Sequence, residues 1–76
     1  VYILQSLANP DHFYSGITDD LSDRLSAHNS GSVTHTSKSR PWRIKSYIAF
    51  TDEARAFAFE NYLKSGSGRA FAKAHL

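Results

Sequence analysis

The chain has 76 residues, nine lysines and arginines against seven aspartates and glutamates, no cysteine and a formal net charge of +2. A chain this short buries only roughly 60% of its unfolded surface, which excludes a deep enclosed small-molecule cavity, and the missing thiols exclude a disulfide framework and a cysteine zinc site. No apolar run reaches the ~20 residues of a membrane span and no charged-then-apolar leader opens the chain, so it reads as one soluble, cytoplasmic domain over residues 1–76 with no membrane partner.

The first segment, "VYILQSL", is β-branched and aromatic, and "NPDH" after it is a turn signal with Pro10 and Asp11 in favoured places. "FYSGIT" reads as the return strand of a hairpin. Thr18, Asp19 and Asp20 then supply a cap and first-turn acids, which predicts a helix over 19–29 ended by "NSGS", with Gly31 near its C-terminus. With Thr18 or Asp19 as the cap, Leu21 and Leu25 share one stripe of this helix, with Arg24 and His28 beside them. Amphipathic helices seldom place such groups on the core side.

From Asn29 to Arg40 the chain is mostly Ser, Thr, Gly and His without apolar periodicity, and it reads as an exposed loop ended at Pro41. "WRIKSYIAF" alternates Trp42, Ile44, Ser46 and Ile48 against Arg43, Lys45 and Tyr47, the pattern of a third strand with unequal faces. Thr51, Asp52 and Glu53 open a second helix running to about Ser65, in which Ala56, Phe57, Phe59 and Leu63 cover one arc with Glu60 inside it. "SGSG" separates it from a short final helix, "RAFAKAHL". The order is β-β-α-β-α-α, an α/β (α+β) fold with a small three-stranded antiparallel sheet flanked by helices.

Charge is unevenly placed. Residues 1–37 hold Arg24 against Asp11, Asp19, Asp20 and Asp23, whereas residues 38–76 hold eight basic side chains against three acidic ones. Such asymmetry permits a positive surface for a polyanion, nucleic acid being the usual one. Lys38, Arg40, Arg43 and Lys45 near Trp42 suit phosphate tracking, and equally a charge-lined exposed strand. His35 and His75 read as solvent histidines.

Tyr2, Tyr14, Arg24, His28 and Glu60 combine into one site with the parts that phosphodiester cleavage requires. Mg²⁺ keeps several waters and often takes one or two carboxylates, so Glu60 alone suits it, with substrate phosphate as a further ligand. Arg24 offers a fork to charge building on phosphorus, and His28 a second donor or a proton acceptor. A tyrosine beside them helps deprotonate water. Taken singly, each residue also has a plainer role: Tyr2 and Tyr14 as sheet aromatics, Arg24 paired with Asp20, Asp23 or solvent, His28 as a helix C-terminal charge, and Glu60 as an i,i+4 partner of Lys64.

The arrangement of "VYIL", "YSG", "DDLSDRLSAHNSG" and "AFAFENYLK" resembles the GIY-YIG nuclease superfamily, in particular its small stand-alone bacterial members. "VY" at 1–2 matches the end of the first tripeptide, and Tyr14-Ser15-Gly16 matches the second. The resemblance covers nearly the whole chain, including "SRPW" before the third strand. It implies a Mg²⁺- or Mn²⁺-dependent endonuclease acting on DNA, with RNA the other polyanion of the same chemistry, and a link to DNA repair. By motif, Tyr2 and Tyr14 position or activate water, Arg24 stabilises phosphate charge, Glu60 holds the divalent ion and His28 matches a histidine of many members. Gly16 allows close approach to the sheet, and Lys38, Arg40, Arg43, Lys64 and Arg69 are the expected nucleic-acid contacts. Low sequence specificity follows from the absence of an appended reader of base edges. The competing readings are a nucleic-acid-binding module without chemistry and a protein-interaction domain that uses the tyrosines and Arg24 structurally.

Overall fold

Val1, Tyr2, Ile3 and Leu4 are all buried in the computed structural model, which describes residues 1–76. This run buries both of its faces because β1 (Tyr2–Ser6) is the middle strand of an antiparallel sheet ordered β2-β1-β3, between β2 (Phe13–Gly16) and β3 (Trp42–Tyr47). Side chains alternate across a strand. Tyr2 and Leu4 therefore pack on one face with Trp42, Tyr14, Ile44 and the leucines of the first helix, Leu21 and Leu25. Val1 and Ile3 pack on the other with Ala56, Leu63, Phe59 and Ala72. Only 12 of 76 residues are buried, so each face carries a thin core and much of β2 stays accessible.

Helix α1 (Leu21–Ser30) starts two residues later than the sequence pattern suggests. Asp20, rather than Thr18 or Asp19, is the cap, because its carboxylate accepts the Asp23 backbone N–H at 3.0 Å while the Thr18 hydroxyl accepts that of Asp20 at 3.1 Å. Gly31 ends the helix at φ 84°, the left-handed conformation in which glycine is least strained. Just before it, the Asn29 amide clasps β3, donating to the Trp42 carbonyl at 3.1 Å and accepting from the Trp42 N–H at 2.6 Å. The last turn of α1 is thereby fixed to the sheet.

The segment expected to be an exposed loop contains a six-residue 3-10 helix, Thr34–Ser39, with Thr36 buried. Its polar composition hides the reason: Thr36 satisfies groups that are themselves buried. The third strand ends at Tyr47 rather than continuing to Phe50, and a register irregularity opposite Ile3 and Leu4 leaves Lys45 out of the one-to-one pairing.

Helix α2 (Glu53–Leu63) is capped by Asp52 and stops short of Ser65, because Ser65 caps α3 (Gly66–His75) by accepting the Gly68 N–H at 3.0 Å. The stretch read as a spacer is thus the first turn of α3. At Gly68 the two helices approach so closely that a Cβ would run into the Tyr62 backbone. The buried stripe of α2 is Ala56, Glu60 and Leu63, at i, i+4 and i+7, whereas Phe57, expected on that arc, points outward and is 48% exposed. No helix is long and apolar enough to cross a membrane.

Candidate active site

Register makes the site. β1 and β2 pair Tyr2 with Gly16 and Leu4 with Tyr14, which puts both tyrosines on the sheet face covered by α1. Their rings lie 6.5 Å apart, and the His28 ring sits against both, 6.0 Å from Tyr2 and 4.9 Å from Tyr14. Gly16 has a steric duty here, since a Cβ on it would fall 2.5 Å from the Tyr2 hydroxyl oxygen.

Arg24 and His28, one helical turn apart on α1, both reach the Tyr2 hydroxyl. Arg24 Nε donates to it at 3.3 Å, and His28 Nε2 lies 3.1 Å away. The other ring nitrogen, Nδ1, is 2.8 Å from Thr36 Oγ1, which donates onward to the Val33 carbonyl at 3.3 Å. Tyr2, His28 and Thr36 are each at most 1% exposed, and no buried side-chain polar atom lacks a partner. An unpaired polar group at such depth costs about 1–3 kcal/mol, so the network is satisfied as a unit or not at all.

Electrostatics follow the geometry. Burial pushes the Tyr2 phenol above its ordinary value, against the opposing hydrogen bond and charge of Arg24, and Tyr14 and Glu60 add to the upward push. Arg24 is pushed further up by its bond to Tyr2 and stays charged. His28 is pushed below 6.5, first by burial and then by the Arg24 charge. It is therefore a neutral ring near physiological pH. That overturns its reading as a cationic group at the helix C-terminus, just as Arg24 pairs with Tyr2 in place of Asp20 or Asp23.

Glu60 reaches the same region from α2. The residue is buried, its Oε2 accepts from Lys64 Nζ at 2.7 Å, and the side chain of Lys64 is 59% exposed. The bond to Glu60 pushes the lysine up. The pair is thus the expected i,i+4 partnership, but its carboxylate lies inside rather than on the surface. No group of three or more histidines, aspartates or glutamates accompanies it. As a donor set, one carboxylate fits a magnesium ion that keeps most of its waters and shares substrate phosphate, and does not fit a cation needing an all-protein cage.

The cations expected to touch nucleic acid divide into two groups. Lys64 and Arg69 line an open groove of about 780 Å³ together with Tyr14, Phe13, Asp11 and Lys73. Arg43 donates to the Gln5 side chain, which is paired across the sheet with Phe13, and Lys45 Nζ lies 4.7 Å from the centre of the exposed Phe13 ring. Lys38 and Arg40 lie elsewhere: Lys38 is exposed on the 3-10 helix, and Arg40 donates to the Ser37 carbonyl beside Gly31. His35 and His75 are exposed as expected.

Sequence reasoning missed Thr36, Phe13 and Lys73. Thr36 lacks any local signal; the one available clue is that a histidine buried on α1 needs a partner for each ring nitrogen. Lys73, one turn beyond Arg69 on α3, was accessible through helical spacing.

Compared with known proteins, residues 1–73 match the family model described as the GIY-YIG catalytic domain. No curated protein and no solved structure matches the chain.

Proposed function

The chain belongs to the GIY-YIG family, a family of nuclease-type catalytic domains, and from that premise we propose that residues 1–76 form a single divalent-metal-dependent endonuclease unit hydrolysing phosphodiester bonds in DNA with low sequence specificity. The observation that carries this reading is the buried line Arg24–Tyr2–His28, in which a cation and a neutral imidazole meet on one phenol. A sheet aromatic in a purely structural role has no need of both.

The parts act as follows. Arg24 commits Nε to Tyr2, which leaves its terminal nitrogens for phosphate oxygens, where a planar guanidinium is strongest. Tyr2 takes a proton from the attacking water as its own proton passes to His28 Nε2, so the phenol never has to exist as a free phenolate against its raised pKa. The water oxygen forms the new bond to phosphorus as the opposite P–O bond breaks, the departing oxygen takes its proton from solvent, and His28 releases its extra proton back through the Tyr2 hydroxyl to solvent as product leaves. Tyr14, half-buried and lining the groove, orients the scissile phosphate. Gly16 keeps the strand edge clear beside the Tyr2 hydroxyl.

Glu60 would hold the divalent ion, Mg²⁺ or Mn²⁺. When bound, that ion supplies Lewis-acid polarisation and charge neutralisation at the phosphate. The groove past Phe13, Arg69 and Lys73 carries the flanking strand, and Lys64 is the residue that exchanges Glu60 for phosphate. Phosphate contacts of this kind set position and not sequence, which accounts for low specificity.

The test is cleavage of labelled single-stranded, duplex and branched DNA with Mg²⁺ or Mn²⁺, with chelator added, and with Glu60→Gln. Cutting that chelator abolishes and Glu60→Gln loses is the expected result. Binding without cutting on every substrate, unaffected by chelator, would instead mark a nucleic-acid-binding module.

A further inference from the structure

We propose that Thr36 is a positioning residue that fixes the tautomer of His28, holding the proton on Nδ1 so that Nε2 is left bare to receive the Tyr2 proton. This rests on the nuclease reading for its catalytic consequence, but the tautomer itself follows from the hydrogen-bond inventory of the buried network.

A threonine hydroxyl has one proton and two lone pairs, and a neutral imidazole has one N–H and one bare nitrogen. Arg24 Nε can only donate to the Tyr2 oxygen, so His28 Nε2 is the one protein acceptor for the Tyr2 O–H. The Val33 carbonyl, 3.3 Å from Thr36 Oγ1 and already accepting the Thr36 N–H at 3.2 Å, is free to take the hydroxyl proton as well. Thr36 then faces His28 Nδ1 as an acceptor at 2.8 Å, and Nδ1 must carry the ring proton. Nε2 is consequently bare, and at 3.1 Å it accepts the Tyr2 O–H. The Tyr2 oxygen in turn accepts from Arg24 Nε at 3.3 Å. Every proton in the line has an acceptor.

The opposite arrangement fails the same accounting. With the proton on Nε2, both His28 and Arg24 would donate into the Tyr2 oxygen, and the phenolic proton would have no acceptor within the protein. Nδ1 would also take the Thr36 proton, leaving the Val33 carbonyl with the Thr36 N–H as its donor. A second consequence concerns the 3-10 helix: its backbone also holds the Trp42 indole, whose Nε1 donates to the Thr36 carbonyl at 2.9 Å. Thr36 is thus anchored independently of its hydroxyl, which is what lets a single O–H set the imidazole without the segment moving.

The experiment compares wild type, Thr36→Val and Thr36→Ser, reading the His28 tautomer by ¹⁵N NMR at neutral pH and the steady-state cleavage constants. Wild type is expected to show Nδ1–H with a bare Nε2. Thr36→Val, which keeps the shape and loses the hydroxyl, is expected to move the proton to Nε2 and lower kcat by about 10–100-fold at unchanged KM, the usual scale for loss of a group that orients a catalytic side chain. Thr36→Ser is expected to restore both. An Nε2–H tautomer in wild type would overturn the proposal even if Thr36→Val failed to fold. So would a Thr36→Val protein that kept Nδ1–H, or one that lost activity without a change of tautomer, since either assigns Thr36 to packing alone. If wild type cuts no substrate yet shows the Nδ1–H tautomer lost in Thr36→Val, the positioning stands and the nuclease reading falls.

Discussion

His28 Nε2 lies 3.1 Å from the hydroxyl oxygen of Tyr2, although 26 residues separate them, and neither residue is more than 1% exposed. One comes from the middle strand and the other from the last turn of α1. What joins them is the clasp of Asn29 on Trp42 and the Leu21–Leu25 stripe against Leu4, which set α1 at a fixed height over the sheet.

The pH dependence follows from that burial. His28 is held below 6.5, so between 6.5 and its lower native value the unfolded chain binds more protons than the folded one. Stability is therefore fully present above pH 6.5, declines as pH falls through this window, and levels off below the native value. Cleavage should fall at the lower edge of that window, as pH passes the native value of His28, because a protonated ring has no site for the Tyr2 proton. Thermal melts and kcat measured from neutral to mildly acidic pH check both. An activity that titrates above 6.5 would place the controlling group elsewhere.

The elbow between α2 and α3 yields a stability prediction free of catalysis. Gly68→Ala puts a methyl group into the Tyr62 backbone, while nothing lies within 4 Å of a Cβ at Gly66. Gly68→Ala should destabilise by about 1–3 kcal/mol, the usual cost of overpacking, and each kcal/mol lowers Tm by about 4–8 °C in a chain of this size. Gly66→Ala should leave Tm unchanged or raise it slightly, by loss of unfolded-state freedom. Equal melting shifts in the two variants would show that the close approach is not what matters.

For the groove, the expected signature is salt dependence. Arg69→Ala and Lys73→Ala should each reduce the slope of log affinity against log salt by about 0.7–0.9, one phosphate contact apiece. Lys38→Ala, outside the groove, should leave the slope as it is. A titration in which Lys38 matters and Arg69 and Lys73 do not would move the nucleic-acid path to the 3-10 helix side.

Much of this architecture is legible in the residues. The hairpin, α1, β3 and α2 carry strong local signals, and the strand period with the turn at "NPDH" suffices to bring Tyr2 and Tyr14 to one face. The helical step likewise places Arg24 beside His28. What the sequence hides is cooperative. Asp20 outcompetes Thr18 and Asp19 as a cap only because its own geometry reaches the Asp23 N–H. Ser65 is read as spacer, since a serine in "SGSG" gives no sign that Tyr62 and Gly68 will touch. The 3-10 helix is the clearest case: polar composition says exposed loop, and only the unmet hydrogen bonds of a buried histidine say otherwise. The inward turn of Glu60 and outward turn of Phe57 are similarly decided by which arc of α2 meets the sheet, a choice that propensity does not make.

The most direct measurement is the single-turnover cleavage rate of Tyr2→Phe against wild type in saturating Mg²⁺, with the fold of the variant checked by circular dichroism and its DNA affinity measured in parallel. The substitution removes one oxygen, the atom on which Arg24 and His28 converge. A proton-transfer role predicts a loss of about 10²–10⁴-fold in rate with fold and affinity intact. A folded Tyr2→Phe protein that cuts at the wild-type rate would contradict it, and would leave the Arg24–Tyr2–His28 line as a structural feature of the core.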